Sequence, residues 1–266
     1  MPAVPPHEIH GHGPHPVIAL HGWFGDRTSY TPLMRWADAS AFTYALLDQR
    51  GYGAARSIPG RFTVEEIATD ALALAGHLGW ETFSVVGHSM GGKVAQRLAA
   101  DVPGRLLGLV GISPVPASGA GLDETARELF TRAQDDPALR RAIIDRTTGE
   151  RLPGRWLDAM VEDSFARSTR EAMGAYLPDW AGEDFHKRLT GSPVPALFIA
   201  GRHDPELSAE VMRATVLSWF ADSRLTVLED AGHYAMDETP LALVHLIESF
   251  LASVPARPIH AGPQRA

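Results

Sequence analysis

The sequence predicts an α/β protein: a mostly parallel central sheet with helices on both faces and a helical lid inserted between two of its strands. Three observations carry that expectation: short apolar runs that end in Gly or Asp, helix-patterned segments between them, and one long interruption of the alternation. The runs are Val17–Leu20 before His21-Gly22, Tyr44–Leu47 before Asp48, Phe83–Val86 before Gly87-His88-Ser89, and Leu106–Ile112 before Ser113-Pro114. Ala196–Ala200 before Gly201-Arg202-His203-Asp204 and Leu225–Leu228 before Glu229-Asp230 complete the set. Runs that are apolar on both faces suit strands buried on both sides, which is the situation in a parallel sheet.

Helical spacing fills the gaps. Thr63–Leu78 places Val64, Ile67, Ala68, Ala71, Leu72, Ala75 and Leu78 on one face of a helix. Thr63 is suited to the N-cap, Glu66 to the third position of a capping box, and Gly79 to the stop. Met90–Ala100, Leu207–Phe220 and Leu241–Leu251 follow the same pattern. Strands alternating with helices imply βαβ units.

Between about Pro114 and Ser192 the pattern is helical throughout: Asp123–Gln134, Pro137–Arg146, Trp156–Ala166 and Arg170–Tyr176. Helices inserted between two strands of a sheet sit above one of its ends. The expected organisation is therefore a core at 1–113 and 193–253, a lid at 114–192, and a flexible tail at 254–266, which is rich in Pro, Ala and Gly.

Bulk composition narrows the function classes. A chain of 266 residues, 45% hydrophobic and 21% charged, fits one large domain or a domain with a sizeable insertion. A formal charge of -8 argues against nucleic acid or an anionic membrane as partner. With no cysteine, disulfides, a thiol nucleophile and Cys-ligated zinc are all excluded. The N-terminal MPAVPPHEIHGHGPHP lacks the basic and apolar regions of a secretory signal, and no run reaches the ~18 apolar residues of a membrane span, so a cytoplasmic location is expected.

The chemistry centres on Gly87-His88-Ser89-Met90-Gly91, which fits G-x-S-x-G at the end of a strand and the start of a helix. Glycines on either side remove the Cβ clashes of a very tight turn, so the serine oxygen stands above the sheet. The N–H of Met90 then faces a developing oxyanion. Serine needs a base. His233, in the loop Asp230-Ala231-Gly232-His233-Tyr234 before the last helix, is the best placed of the twelve histidines. His88 flanks the nucleophile, and its ring is expected to point away from the serine oxygen. Asp204, just past the strand Ala196–Ala200, is the carboxylate suited to orient the base, because the other usual position holds Ser113-Pro114-Val115 with no acid. Asp230, Asp237 and Glu238 read as capping or surface carboxylates. The loop His21-Gly22-Trp23-Phe24-Gly25 supplies the second oxyanion donor, the N–H of Trp23, with His21 as its organiser.

From Val17 to Leu251 the sequence resembles the α/β-hydrolase superfamily, on HGW at 21–23, DQRGYG at 48–53, GHSMGG at 87–92, GRHD at 201–204 and AGHYAMDETP at 231–240. The order Ser89…Asp204…His233 is also the order of that fold. The resemblance implies that the loop at Asp48, Arg50, Gly51 and Gly53 is structural. Its HGW form looks like that of small esterases, lactonases and related perhydrolases. The chain departs from the pattern at Ala55, where the family often has Ser, and before the HG loop, where His7–Pro16 leaves room for a sheet of about seven strands.

The expected function is hydrolysis of a small carboxylic ester or lactone through an acyl-enzyme, with no cofactor and no metal, by a monomer or homodimer. The alternatives are a carbon–carbon bond hydrolase or perhydrolase of the same fold, and a slow-turnover ligand receptor. Among apolar residues, Phe24 and Tyr234 are candidate pocket walls because their neighbours are catalytic; Trp156, Phe165 and Trp180 are lid candidates. The N-terminal His7, His10, His12, His15 and His21 read as a solvated tail rather than a metal site, since a flexible segment loses entropy on ordering.

Overall fold

The structure is a computed structural model that describes residues 4–254. In chain order its first half contains β1 (His7–Gly11), β2 (His15–Leu20), α1 (Thr31–Met34), β3 (Phe42–Leu47), α2 (Val64–His77), β4 (Phe83–His88), α3 (Met90–Asp101) and β5 (Leu106–Ile112). Four helices follow, α4 (Glu124–Arg132), α5 (Pro137–Thr147), α6 (Gly154–Arg167) and α7 (Arg170–Gly182). The chain then returns with β6 (Ala196–Gly201), α8 (Ala209–Ala214), β7 (Ser223–Leu228), α9 (Ala235–Glu238) and α10 (Pro240–Ser253).

Among the described residues the seven strands form one sheet in the order β1-β3-β2-β4-β5-β6-β7. Only β1 is antiparallel, pairing His7 with Leu47 and Gly11 with Thr43; the other pairs are parallel. Both faces are dry. In β2, Ile18 and Leu20 pack with α2 and α3, while Val17 and Ala19 pack with α1 and α10. This two-sided burial is why the strand sequences are apolar without alternation.

Helix limits follow local chemistry. At the start of α2, the Thr63 hydroxyl accepts from the N–H of Glu66, and Asp179 of α7 accepts from the N–H of Val64. The capping box is not reciprocal, because the Glu66 carboxylate takes the N–H of Phe62 instead of Thr63. Gly79 ends the helix at φ +72°, a conformation in which glycine has no Cβ to clash. The single helix expected over Leu207–Phe220 is two pieces, α8 and a 3-10 turn at Val216–Ser218, separated where Thr215 leaves helical geometry. By contrast α7 runs past Tyr176 to Gly182 with Pro178 inside it. Burial of Leu177, Trp180 and Ala181 outweighs the hydrogen bond that proline cannot make.

The N-terminal histidines are not a solvated tail. His7–Gly11 is the edge strand β1, and the His15 ring Nε2 lies 2.8 Å from the Ser84 hydroxyl. Pairing with β3, which no local pattern announces, supplies the order. Of the tail expected at 254–266, Val254 is buried against α10's core, and 255–266 lie outside the described residues. No described helix is long and apolar enough to cross a membrane.

Candidate functional site

The site lies at the carboxyl edge of the parallel strands, where ligands bind in open α/β sheets. Ser89 occupies the turn between β4 and α3 at φ 53°, ψ -115°. A non-glycine residue there is strained by roughly 1–3 kcal/mol, so the surroundings must enforce it. They do so through the backbone. The Ser89 N–H donates to Ile112 O at 3.0 Å, and its carbonyl accepts from Gly92, Lys93 and Val115 N–H at 2.9, 3.3 and 3.0 Å. The flanking glycines have steric reasons: a Cβ on Gly87 would stand 2.2 Å from Gly91 O, and one on Gly91 would stand 2.2 Å from Leu20 O.

Asp204 follows β6 and His233 follows β7, and the structure brings them together. The His233 Nδ1–H donates to Asp204 Oδ2 at 2.7 Å. The other oxygen of Asp204 accepts from the N–H groups of Glu206 and Leu207 at 3.0 and 3.1 Å, so a fully buried carboxylate has three donors. Those donors fix it in place. With Nδ1 protonated, Nε2 is the acceptor nitrogen, and it has no hydrogen-bond partner among the described residues. His233 and Ser89 line the same cavity.

Two residues hold His233 in ways the sequence reading missed. The Glu238 carboxylate accepts from Gly232 N–H at 2.8 Å and Tyr234 N–H at 3.1 Å, bracketing the histidine, and pairs with Arg151 at 3.0 Å. Its side chain is only 2% exposed, so it is not a surface carboxylate, and it caps the turn at Tyr234. His88 donates through Nε2 to the His233 carbonyl at 2.8 Å, with the two rings 4.8 Å apart. Burial and the neighbouring His233 hold the His88 ring well below the usual histidine range, so it stays neutral. It also lines the cavity, so it does not turn wholly away from the serine. The signal for Glu238 was its place in a helical turn after the base; for His88 it was only adjacency.

The oxyanion loop follows β2. Gln49 N–H donates to His21 Nε2 at 3.2 Å, so the His21 Nδ1–H donates to Gly22 O at 2.8 Å. Burial lowers the His21 pKa, which suits an organiser of the loop. Asp48 accepts from Arg27 and Ala54 N–H at 3.0 and 2.8 Å and pairs with the Arg27 side chain, tying the second loop to the first. The N–H groups of Trp23 and Met90 donate to no acceptor among the described residues. The latter opens a twelve-residue helix whose positive dipole end adds to its pull on an anion.

A cavity of about 90 Å³ is lined by Ser89 and His233, and Trp23, Phe24, Tyr234 and Trp180 line it too. Its roof comes from the inserted helices through Phe130, Ile143, Met160 and Trp180. Trp156 and Phe165 do not line it. Trp156 packs on the Tyr234 ring at 5.6 Å, and Phe165 lies under the guanidinium of Arg140 at 3.5 Å. Arg140 is buried with no carboxylate partner among the described residues, hydrogen-bonded to the carbonyls of Ala133 and Gln134 and the Ser164 hydroxyl. An aromatic face is the counterpart a buried cation needs there. Among the described residues no group of three or more His, Asp or Glu could hold a metal.

Comparison with known proteins agrees with this architecture. The family model for the alpha/beta hydrolase fold matches residues 15–240. Esterase YbfF of Escherichia coli is 26% identical over 245 residues, covering 90% of this chain and 94% of its own. The 3-oxoadipate enol-lactonase 2 of Acinetobacter baylyi is 26% identical, covering 77% of this chain and 76% of its own. Among solved structures, a thermophilic esterase from Thermogutta terrifontis superposes with a TM-score of 0.80 at 25% identity, covering 94% of this chain and 93% of its own. This chain therefore belongs to the α/β-hydrolase fold family, as an enzyme similar to its esterases and lactonases.

Proposed function

We propose that the protein hydrolyses a small carboxylic ester or lactone by acyl transfer from Ser89 to water, with His233 as base and Asp204 orienting it. The observation that carries this reading is the 2.7 Å His233–Asp204 hydrogen bond, which leaves Nε2 free in the cavity that Ser89 lines. The Ser89 proton moves to Nε2 as Oγ bonds to the carbonyl carbon. The N–H groups of Trp23 and Met90 stabilise the oxygen that becomes negative. The imidazolium, stabilised by Asp204, then protonates the leaving alkoxide, and the carbon–oxygen bond breaks. Water, deprotonated by the same nitrogen, attacks the acyl-enzyme, and the acid leaves with Ser89 restored.

The small apolar cavity supports a short acid, and the segment 114–192 serves as the lid over it. Steady turnover of p-nitrophenyl acetate is expected, abolished in Ser89→Ala. A variant that hydrolysed the ester at the parental rate would contradict the assignment. One rapid acylation followed by stalling would instead favour a receptor, and turnover of a β-diketone without the ester would favour a carbon–carbon hydrolase.

A further inference from the structure

A second depression, of about 300 Å³, adjoins the catalytic cavity. Phe24, Gly25, Ser29, Met160 and Tyr234 line both, so the inner room and the outer one adjoin along these residues. Both are lined mostly by apolar groups, but their charges differ. The inner adds Trp23, Phe130, Ile143 and Trp180 with Glu206, whereas the outer adds Asp163, Arg167 and Asp237 beside Thr28, Pro32 and Met236.

Charge in the outer room is unbalanced. Arg167 is its one cation among the described residues, and it is occupied: it pairs with Asp26 at 3.3 Å and Asp163 at 3.1 Å and donates to the Thr28 hydroxyl. The carboxylate of Asp237 has no hydrogen-bond or ion-pair partner among the described residues. Its neighbour Glu238 is committed to Gly232, Tyr234 and Arg151. The unpaired Asp237 carboxylate therefore faces a recess of mixed character, lined also by Pro32, Met160 and Met236. It meets the catalytic cavity at the Tyr234 ring and at the Phe24 ring, which already takes the Arg140 guanidinium at 5.2 Å. Carboxylate and aromatic rings together attract an ammonium group.

We propose that the outer room is the site for the alcohol half of the substrate, and that it selects alcohols bearing a positively charged nitrogen, with the short acyl half in the inner room. The inference rests on the ester-hydrolase reading above. It fits the order of events, since the alcohol leaves first and the outer room opens to solvent.

The test compares kcat/KM for three acetate esters: acetylcholine, its neutral carbon isostere 3,3-dimethylbutyl acetate, and 3-sulfonatopropyl acetate. The cationic ester is expected to exceed the neutral one by about fivefold to tenfold, mostly through KM, with the anionic ester lowest. That ratio should fall towards one in Asp237→Asn and in 1 M NaCl, as a single exposed charge pair is screened. Equal rates for the cationic and neutral esters, or a preference for the anionic one, would overturn the proposal while leaving the esterase reading intact. Calorimetric titration with tetramethylammonium reads the outer room without hydrolysis. Binding weakened at least fivefold in Asp237→Asn supports the site even if every ester proves inert, and indifference to that substitution overturns it.

Discussion

The floor and the roof of the cavity are built by different means. In the floor, Ser89, Asp204 and His233 stand at the ends of adjacent or near-adjacent parallel strands; backbone groups fix Ser89 and Asp204, and the Glu238 and His88 side chains brace the loop of His233. In the roof, contact is made by side chains projecting from helices that lack a sheet of their own. The roof is itself uneven. The α7 helix is tied to the core by Trp23 Nε1 to Met173 O at 3.2 Å, Tyr176 OH to Arg50 O at 3.2 Å, and Lys93 Nζ to Trp180 O at 2.9 Å. In α4 no residue is fully buried. On the proposed reading, the floor carries out the bond changes and the roof selects the groups that fit.

Substitutions in the floor should have the largest effects. Ser89→Ala should lower kcat about 10⁴- to 10⁶-fold with the fold intact, checked by circular dichroism beside ester hydrolysis. Asp204→Asn should cost roughly 10³- to 10⁴-fold in kcat, because the amide favours the wrong imidazole tautomer. Glu238→Ala leaves the Gly232 and Tyr234 amides without their acceptor, and kcat should drop about tenfold to hundredfold with KM little altered. An unchanged kcat would mean that the loop around His233 holds itself.

Changes between floor and roof should be smaller. Lys93 joins the two, and burial pushes its ammonium down to about 8. Its unfolded value is near the ordinary ~10.4, so between those limits the unfolded chain binds more protons and stability rises with pH. Urea midpoints should show a gain of about 2 kcal/mol from pH 8 to 10 in the parent that Lys93→Met lacks, and parallel curves would contradict the burial argument. Smallest is Phe130→Ala on α4, expected to shift KM a few-fold towards bulkier esters while kcat holds. A large loss of kcat there would show that the roof takes part in the chemistry.

The same contrast explains what the sequence could announce. G-x-S-x-G is readable because the turn at Ser89 demands small residues within two positions of it, whatever surrounds them. Asp204 and His233 are readable because each follows a strand end. The roof is not, since helical spacing shows that Trp156, Phe165 and Phe130 lie on helices but not which face meets the cavity, and Trp180 lies beyond the pattern that ends at Tyr176. Arg140 drew Phe165 away, a long-range need for an aromatic face. Likewise β1 exists through pairing with β3, 30 or more residues along the chain, while His7–Gly11 by itself reads as a polar tail.

The most direct test of acyl transfer at Ser89 is intact-mass analysis after brief exposure to a p-nitrophenyl phosphonate ester, followed by peptide mapping. One phosphonyl adduct on the peptide containing Ser89, absent from Ser89→Ala and slowed in Asp204→Asn, is the predicted result. An adduct on another residue, or turnover of the matching ester that persists after Ser89 is fully blocked, would contradict it.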